Sequence, residues 1–261
     1  MSEPHAAKKR FGQNFLHDGG VIERIVRSIN PQPGDALIEI GPGLGALTVP
    51  LLRRLGRMRA VELDRDVIPH LRAATGDDPG LEIIMADALK VDYGALAPAG
   101  GKLRLAGNLP YNISTPLLFH LLRYADRIAD MHFMLQKEVV DRMAAAPGED
   151  DYGRLTVALA ARAQVSKLFT VGPGAFRPAP KVDSAIVRLV PRPPPFEIAD
   201  LTLFDRIVTA AFSQRRKTLA NGLKGLMTAQ QIGEAGIEPG VRAERLSAAD
   251  FARLTAVAAR A

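Results

Sequence analysis

The chain has 261 residues, 47% of them hydrophobic, and no cysteine. That is enough for one large domain and a small one, and it excludes disulfides, thiolate zinc sites and cysteine nucleophiles. No run approaches the ~18 apolar residues of a membrane span, and the first twenty residues hold no apolar signal core, so a cytoplasmic protein is expected. The net charge of +6 is unevenly placed: residues 18–187 hold 20 basic and 20 acidic side chains, residues 1–17 hold 3 against 1, and residues 188–261 hold 11 against 7. A neutral middle with basic ends fits a polyanionic partner gripped from outside the core.

From about residue 35 short apolar runs alternate with helical patterns. Ala36–Ile40 reads as a buried strand, Ala46–Leu55 as a helix, Met58–Glu62 as a strand and Val67–Ala74 as a helix. Strands follow at Leu81–Met85, Leu103–Ala106 and His132–Leu135, with helices at Thr115–Leu122, Lys137–Ala145 and Leu155–Ala163. This alternation predicts right-handed βαβ units and a mostly parallel sheet. Val165–Val171 and Ala185–Val190 have only the Pro/Gly-rich segment Gly172–Pro180 between them, which predicts an antiparallel pair closing one edge. Pro191, Pro193, Pro194 and Pro195 then mark a stiff linker. Beyond it Leu203–Phe212, Arg216–Leu226, Ala229–Ala235 and Ala248–Ala258 read as short amphipathic helices. The expected organisation is an α/β domain over 1–190, with a basic arm at 1–17, and a small all-α domain over 191–261.

Candidate site residues fall at successive strand ends. Gly41-Pro42-Gly43-Leu44-Gly45 follows the first strand, where glycines let backbone approach a ligand beyond the edge of an open α/β sheet. Glu62 closes the next strand, 21 residues after Gly41, a place from which a carboxylate can accept both hydroxyls of a ribose. Asp87, followed by Ala88, comes just after the third strand and suits either an adenine amine or an Asx turn. Ala46 stands where the dinucleotide pattern has its last glycine, which weighs against a nicotinamide cofactor.

The fourth strand runs into Asn108-Leu109-Pro110-Tyr111-Asn112-Ile113-Ser114. The Asn108 amide oxygen and the Leu109 carbonyl can accept the two N–H bonds of an exocyclic amine while Tyr111 stacks on the ring that carries it. A strand followed by a proline turn and a helix start at Ser114 would use the same letters. The cluster Arg215-Arg216-Lys217 suits phosphate contacts or a solvated helix face. His5, His17, His70, His120 and His132 lack metal-ligand spacing, and no metal is expected.

Taken in order, these motifs resemble the class I S-adenosylmethionine-dependent methyltransferases, and within them the rRNA adenine N6,N6-dimethyltransferases. The likeness spans nearly the whole chain, from Gly12-Gln13-Asn14-Phe15-Leu16 to Phe176-Arg177-Pro178-Ala179-Pro180-Lys181-Val182-Asp183-Ser184. It is greatest with the bacterial small-subunit branch, the kasugamycin-resistance methyltransferases. The resemblance implies a Rossmann-like domain binding S-adenosyl-L-methionine and dimethylation of two adjacent adenosines in the 3′-terminal hairpin loop of 16S rRNA. It implies that Asn14 and Leu16 close over the cofactor and that backbone at Gly41 and Gly43 meets its methionine part. Glu62 would hold the ribose, Asp87 with Ala88 the adenine, and Asn108 the boundary with substrate. Tyr111 and Phe176 would sandwich the target base. From the residues alone, Asn14 and Leu16 read as a disordered tail and Phe176 equally well as a core aromatic.

Alternatives remain at this level. A large-subunit rRNA methyltransferase would share the pocket, an assembly factor would share the partner, and an NAD-dependent oxidoreductase would share the sheet. A monomer is expected, since neither end offers a heptad or a long unpaired strand.

Overall fold

The computed structural model describes residues 13–110, 113–214 and 216–260. They form two compact units: residues 13–140 with Ser166–Pro191, and Asp141–Val165 with residues 192–260. The sequence places 141–165 in the first domain, and the contacts put it in the second. The reason lies in packing, because Tyr152, Val157 and Ala161 share one apolar cluster with Phe204, Ile207, Val208, Phe251 and Leu254.

In the first unit, β1 (Phe15–Leu16) leads into α1 (Gly19–Ile29), then β2 (Ala36–Ile40), α2 (Thr48–Leu55), β3 (Met58–Glu62), α3 (Ile68–Thr75) and β4 (Leu81–Met85). The short α4 (Tyr93–Leu96), β5 (Leu103–Asn108), α5 (Ser114–Leu122) and β6 (Ile128–Gln136) follow. Next come α6 (Lys137–Ala144), which spans the junction, α7 (Arg154–Ala160), β7 (Ala163–Val171), β8 (Phe176–Arg177) and β9 (Ser184–Pro191). Seven strands form one sheet in the order β4-β3-β2-β5-β6-β9-β7, while β1 and β8 pair as a separate antiparallel ribbon. β2 to β6 are parallel and β9 runs antiparallel to β6. β7 and β9 are neighbours at the edge, as their spacing predicts. This is a Rossmann-like class I methyltransferase fold. Strand order reverses between β2 and β5, which is where open α/β sheets leave a crevice beyond their strand ends.

Helices α1 and α2 were shaped by their caps as well as their apolar stripes. The Asp18 carboxylate accepts the Val21 N–H at 2.9 Å and starts α1, whose Ile25, Val26 and Ile29 lie on one buried face. α2 stops at Gly56 in the left-handed conformation, φ 72°. Leu16, Val26, Leu51 and Ala60 join Ile186 and Phe176 in the same buried cluster.

The second unit is helical: α7 with α8 (Leu201–Ala211), α9 (Leu219–Gly222), α10 (Ala229–Glu234) and α11 (Ala248–Ala258). The predicted helix Arg216–Leu226 is reduced to the single turn α9. Its first backbone N–H groups are drawn elsewhere, Leu219 to the Val241 carbonyl at 2.7 Å and Ala220 to that of Pro239 at 3.0 Å. Gly225, at φ 89°, prevents continuation.

Candidate active site

A cavity of about 360 Å³ opens beyond the ends of β2, β3, β4 and β5. The position follows from the topology, and the close approach of two strands there depends on one residue. A Cβ on Gly107 of β5 would lie 2.2 Å from the Ile40 carbonyl of β2. Only glycine lets those backbones meet, so the crevice at the reversal point can keep its width. The glycine turn then bends away from β2: the Gly41 N–H donates to the Val61 carbonyl at 2.9 Å, and Gly43 sits at φ 52°. A Cβ on Gly43 would lie 3.1 Å from the Phe15 ring, so this glycine makes room for the segment that covers it.

Glu62 ends β3 with its carboxylate held from both sides, accepting from the Gly43 N–H at 3.3 Å and from the Asp64 N–H at 2.8 Å. Each oxygen keeps a lone pair for a ligand hydroxyl. Burial raises its pKa despite those donors and that of Leu63, with the Asp64 carboxylate adding to the rise. Asp87 makes the turn that its sequence allows: one oxygen accepts the Leu89 N–H at 3.0 Å while the residue also lines the cavity. Ala88 beside it is fixed by the Tyr93 hydroxyl, which donates to its carbonyl at 3.2 Å.

Asn108 ends β5, in register with Met134 of β6. Its side-chain nitrogen donates to the Asn14 carbonyl at 3.1 Å. A backbone carbonyl can only accept, so the amide must present its nitrogen there and keep its oxygen for another partner. The Leu109 N–H donates to the Met134 carbonyl at 3.1 Å, which anchors the start of the following turn.

The cavity brings together nine of the residues expected from sequence: Asn14, Leu16, Gly41, Gly43, Glu62, Asp87, Ala88, Asn108 and Leu109 all line it. Tyr111 and Arg215 lie outside the described residues. Phe176 does not line the cavity. It is 2% exposed and lies in the cluster with Leu16 and Ala175, paired across the ribbon with Leu16. Arg216 and Lys217 are exposed in the turn between α8 and α9 of the second unit.

Among the lining residues that sequence reasoning gave no role, Glu39, Leu63, Gln13 and Phe15 bear most on the site. Glu39 is buried inside β2, where its hydroxyl partner Thr48 donates at 2.6 Å. Burial, only partly offset by Thr48 and reinforced by Glu62, pushes its carboxyl up to about 7. A single charge in the run Ala-Leu-Ile-Glu-Ile was the available signal. Leu63, 51% exposed at the cavity mouth, offers an apolar surface directly after Glu62. Gln13 and Phe15 also line it, and a two-residue strand gives no periodicity by which to find them.

Residues 4–260 match the ribosomal RNA adenine dimethylase family. A ribosomal RNA small subunit methyltransferase A of Hahella chejuensis is 57% identical over 251 residues, covering 96% of this chain and 92% of that protein. A protein of the same name from Pseudomonas aeruginosa is 55% identical over 257 residues, 97% of this chain and 96% of its own length. Among solved structures, a dimethyladenosine transferase from Plasmodium falciparum superposes with a TM-score of 0.78 at 26% identity, covering 92% of this chain and 95% of that one. The 23S rRNA methyltransferase ErmE gives 0.73 at 27% identity, covering 94% and 99%. With this cavity, this strand order and a match that runs nearly end to end, the chain belongs to the ribosomal RNA adenine dimethylase family.

Proposed function

We propose that the chain dimethylates N6 of two adjacent adenosines in the 3′-terminal hairpin loop of 16S rRNA, within the small ribosomal subunit, using S-adenosyl-L-methionine. One observation carries the reading: the Asn108 amide is turned by the Asn14 carbonyl so that its oxygen is left to accept from an amine at the cavity edge. The cavity suits the cofactor. Its volume of about 360 Å³ falls in the range of small-ligand sites. Two buried carboxylates with raised pKa, Glu39 and Glu62, line it, and none of the groups acting on them is a cation. A cationic ligand beside them would favour their charged forms, which suits a ligand carrying ammonium and sulfonium groups.

When bound, S-adenosylmethionine supplies an electrophilic methyl group on a sulfonium that leaves as a neutral thioether. Glu62 would hold the ribose hydroxyls, Asp87 and Ala88 the adenine edge, and Leu63 its face. Asn14 and Leu16 would shut the cavity against water. Asn108 and the Leu109 carbonyl would accept the two N–H bonds of the target amine, loosening its lone pair from the ring and stabilising charge that grows on nitrogen. The amine held there would take up the methyl group that the sulfonium supplies and give up its proton to water. Tyr111 would stack on a flipped-out adenine. Phe176 would reach the other face only after the β1–β8 ribbon shifts, because it is buried with Leu16 in the described arrangement. The second unit would bind RNA, with Arg215, Arg216 and Lys217 on phosphates.

The test is transfer of labelled methyl groups to undermethylated small subunits, naked 16S rRNA and large subunits in parallel, with the modified nucleotides identified by mass spectrometry. Dimethyladenosine confined to the small subunit is expected. The likeness to ErmE favours a second reading, a large-subunit target, and label in 23S rRNA would establish it. Tight subunit binding with no label would leave an assembly factor.

A further inference from the structure

A line of hydrogen bonds crosses the cavity from the end of β3 to the end of β5. The Asp64 N–H donates to Glu62 at 2.8 Å. One Asp64 oxygen accepts the Asp66 N–H at 3.2 Å, and the other accepts the side-chain amide of Gln13 at 2.9 Å. The next residue, Asn14, presents its carbonyl to the Asn108 amide at 3.1 Å. Phe15 then covers Gly43, and the ribbon holds the far end through Leu16 opposite Phe176 and the His17 N–H on the Ala175 carbonyl at 2.9 Å. Residues 13–16 are thus a strap across the cavity, fixed at one end by the ribbon and at the other by Gln13 on Asp64.

The two ends differ in kind. The ribbon is joined by backbone and a shared apolar cluster, whereas the Gln13 end has a side-chain hydrogen bond to a buried carboxylate. Without it, the strap loses this anchor beside Glu62. An Asn14 carbonyl held less firmly is a poorer acceptor for the Asn108 amide, which can then turn to present nitrogen in place of oxygen. An amide nitrogen facing the target amine opposes donor to donor.

We propose that Gln13 is a positioning residue: anchored on Asp64, it holds the Asn14 carbonyl against Asn108 and so keeps the Asn108 oxygen turned toward the methyl-accepting amine. The inference rests on the role proposed above for Asn108. It adds that the cofactor's ribose carboxylate, Glu62, and the amine acceptor, Asn108, are joined through one strap, so that closing over the cofactor also sets the acceptor's orientation.

The experiment measures two quantities on the full-length chain: affinity for S-adenosylhomocysteine by titration, which needs no RNA, and kcat on undermethylated small subunits at saturating cofactor. Failure of the wild-type chain to methylate any rRNA would overturn the functional reading itself. With an active wild type, Gln13→Ala is expected to lower kcat at saturation about tenfold, the scale of one hydrogen bond to a charged group, besides weakening binding. Asp64→Asn keeps a partner for Gln13, since either amide can turn, and is expected to stay within about threefold of wild type. The double variant Gln13→Ala/Asp64→Ala should be no slower than the slower single variant. Gln13→Leu, similar in length but unable to bond, should match Gln13→Ala, and melting curves report whether each variant is folded. A Gln13→Ala chain with wild-type kcat at saturation, or losses that multiply in the double variant, would overturn the proposal.

Discussion

Both ends of the seven-stranded sheet bury carboxylates, and they treat them in opposite ways. Where the strands begin, Arg104 of β5 binds Asp130 of β6 through two nitrogens, at 2.9 and 3.0 Å, and Asp35 before β2 at 2.7 Å. It also donates to the carbonyls of Ile29 and Asn30 at the end of α1. Burial works against its charge, yet the bonds to Asp130 and Asp35 outweigh that and raise its pKa. Where the strands end, Glu39 and Glu62 have neutral donors and like-charged neighbours, Glu62 beside Glu39 and Asp64 beside Glu62. The lower network is complete within the fold, while the upper pair is pushed toward its protonated form beside a cavity. Carboxyl groups shifted in this way, lining a cleft, are a mark of functional sites.

The strongest way to break this contrast is to uncompensate the lower end. Arg104→Met takes the shared cation from half-buried Asp35 and from buried Asp130, which keeps Arg188 at 3.5 Å, and should lower unfolding free energy by about 2–3 kcal/mol in urea denaturation. An unchanged midpoint would mean that the network contributes nothing. At the upper end, Asn108→Ala should reduce kcat by the equivalent of about 2–4 kcal/mol while affinity for S-adenosylhomocysteine stays within a few-fold. Wild-type turnover in that variant would refute the role of Asn108.

Two further substitutions sharpen the comparison through pH. Glu39 has its folded pKa raised to about 7, so between its unfolded value and 7 the folded chain binds the extra proton. Its contribution is therefore present at acid pH and lost as pH rises to 7. Glu39→Gln should make the ligand-free protein more stable at pH 8 by about 2–3 kcal/mol, read as a urea midpoint. His132 is the reverse case. Burial lowers its pKa to about 4, with Arg104 and Arg188 adding to that and Asp130 and the nearby Ser28 backbone opposing it. Neither ring nitrogen finds a hydrogen-bond partner among the described residues. Here the unfolded chain binds the proton, so stability is complete above about 6.5 and falls as pH drops toward 4. His132→Leu should recover about 1–2 kcal/mol at pH 5 relative to pH 8. The Glu39 and His132 slopes oppose each other over the same range, so each variant should expose the slope of the other. Parallel pH curves for the two variants would contradict the assignment.

Much of the upper end was legible because a βαβ alternation dictates where strand ends gather. Once Ala36–Ile40, Met58–Glu62, Leu81–Met85 and Leu103–Ala106 were placed as parallel strands, the glycine turn, Glu62, Asp87 and Asn108 had to face one crevice. Glu39 at the upper end and the lower network of Arg104 were hidden, because each sits as one charge in an apolar strand and nothing local tells an internal partner from a ligand. α1 precedes the first strand of the alternation and was not anticipated. The ribbon escaped for another reason: β1 and β8 are two residues each and paired across 160 positions of chain, Leu16 with Phe176. For the same reason 141–165 was assigned by neighbourhood in sequence, and only tertiary packing moved it.

That last assignment bears on how the chain is made. The second unit is discontinuous, with one part synthesised before β7 to β9 and the rest after them. The Tyr152 hydroxyl donates to the Leu246 carbonyl at 2.7 Å, and Arg162 pairs with Asp205. Both wait for residues not yet translated when the sheet's own strands are finished at Pro191. The cofactor-shaped half can therefore complete its sheet on the emerging chain while α7 still lacks its apolar partners. A break in the polypeptide at the proline run would not separate two self-sufficient pieces, because it strands Tyr152, Val157 and Ala161 away from Phe204 and Phe251. Order of translation and order of domains are uncoupled in this molecule, and the helical half closes last.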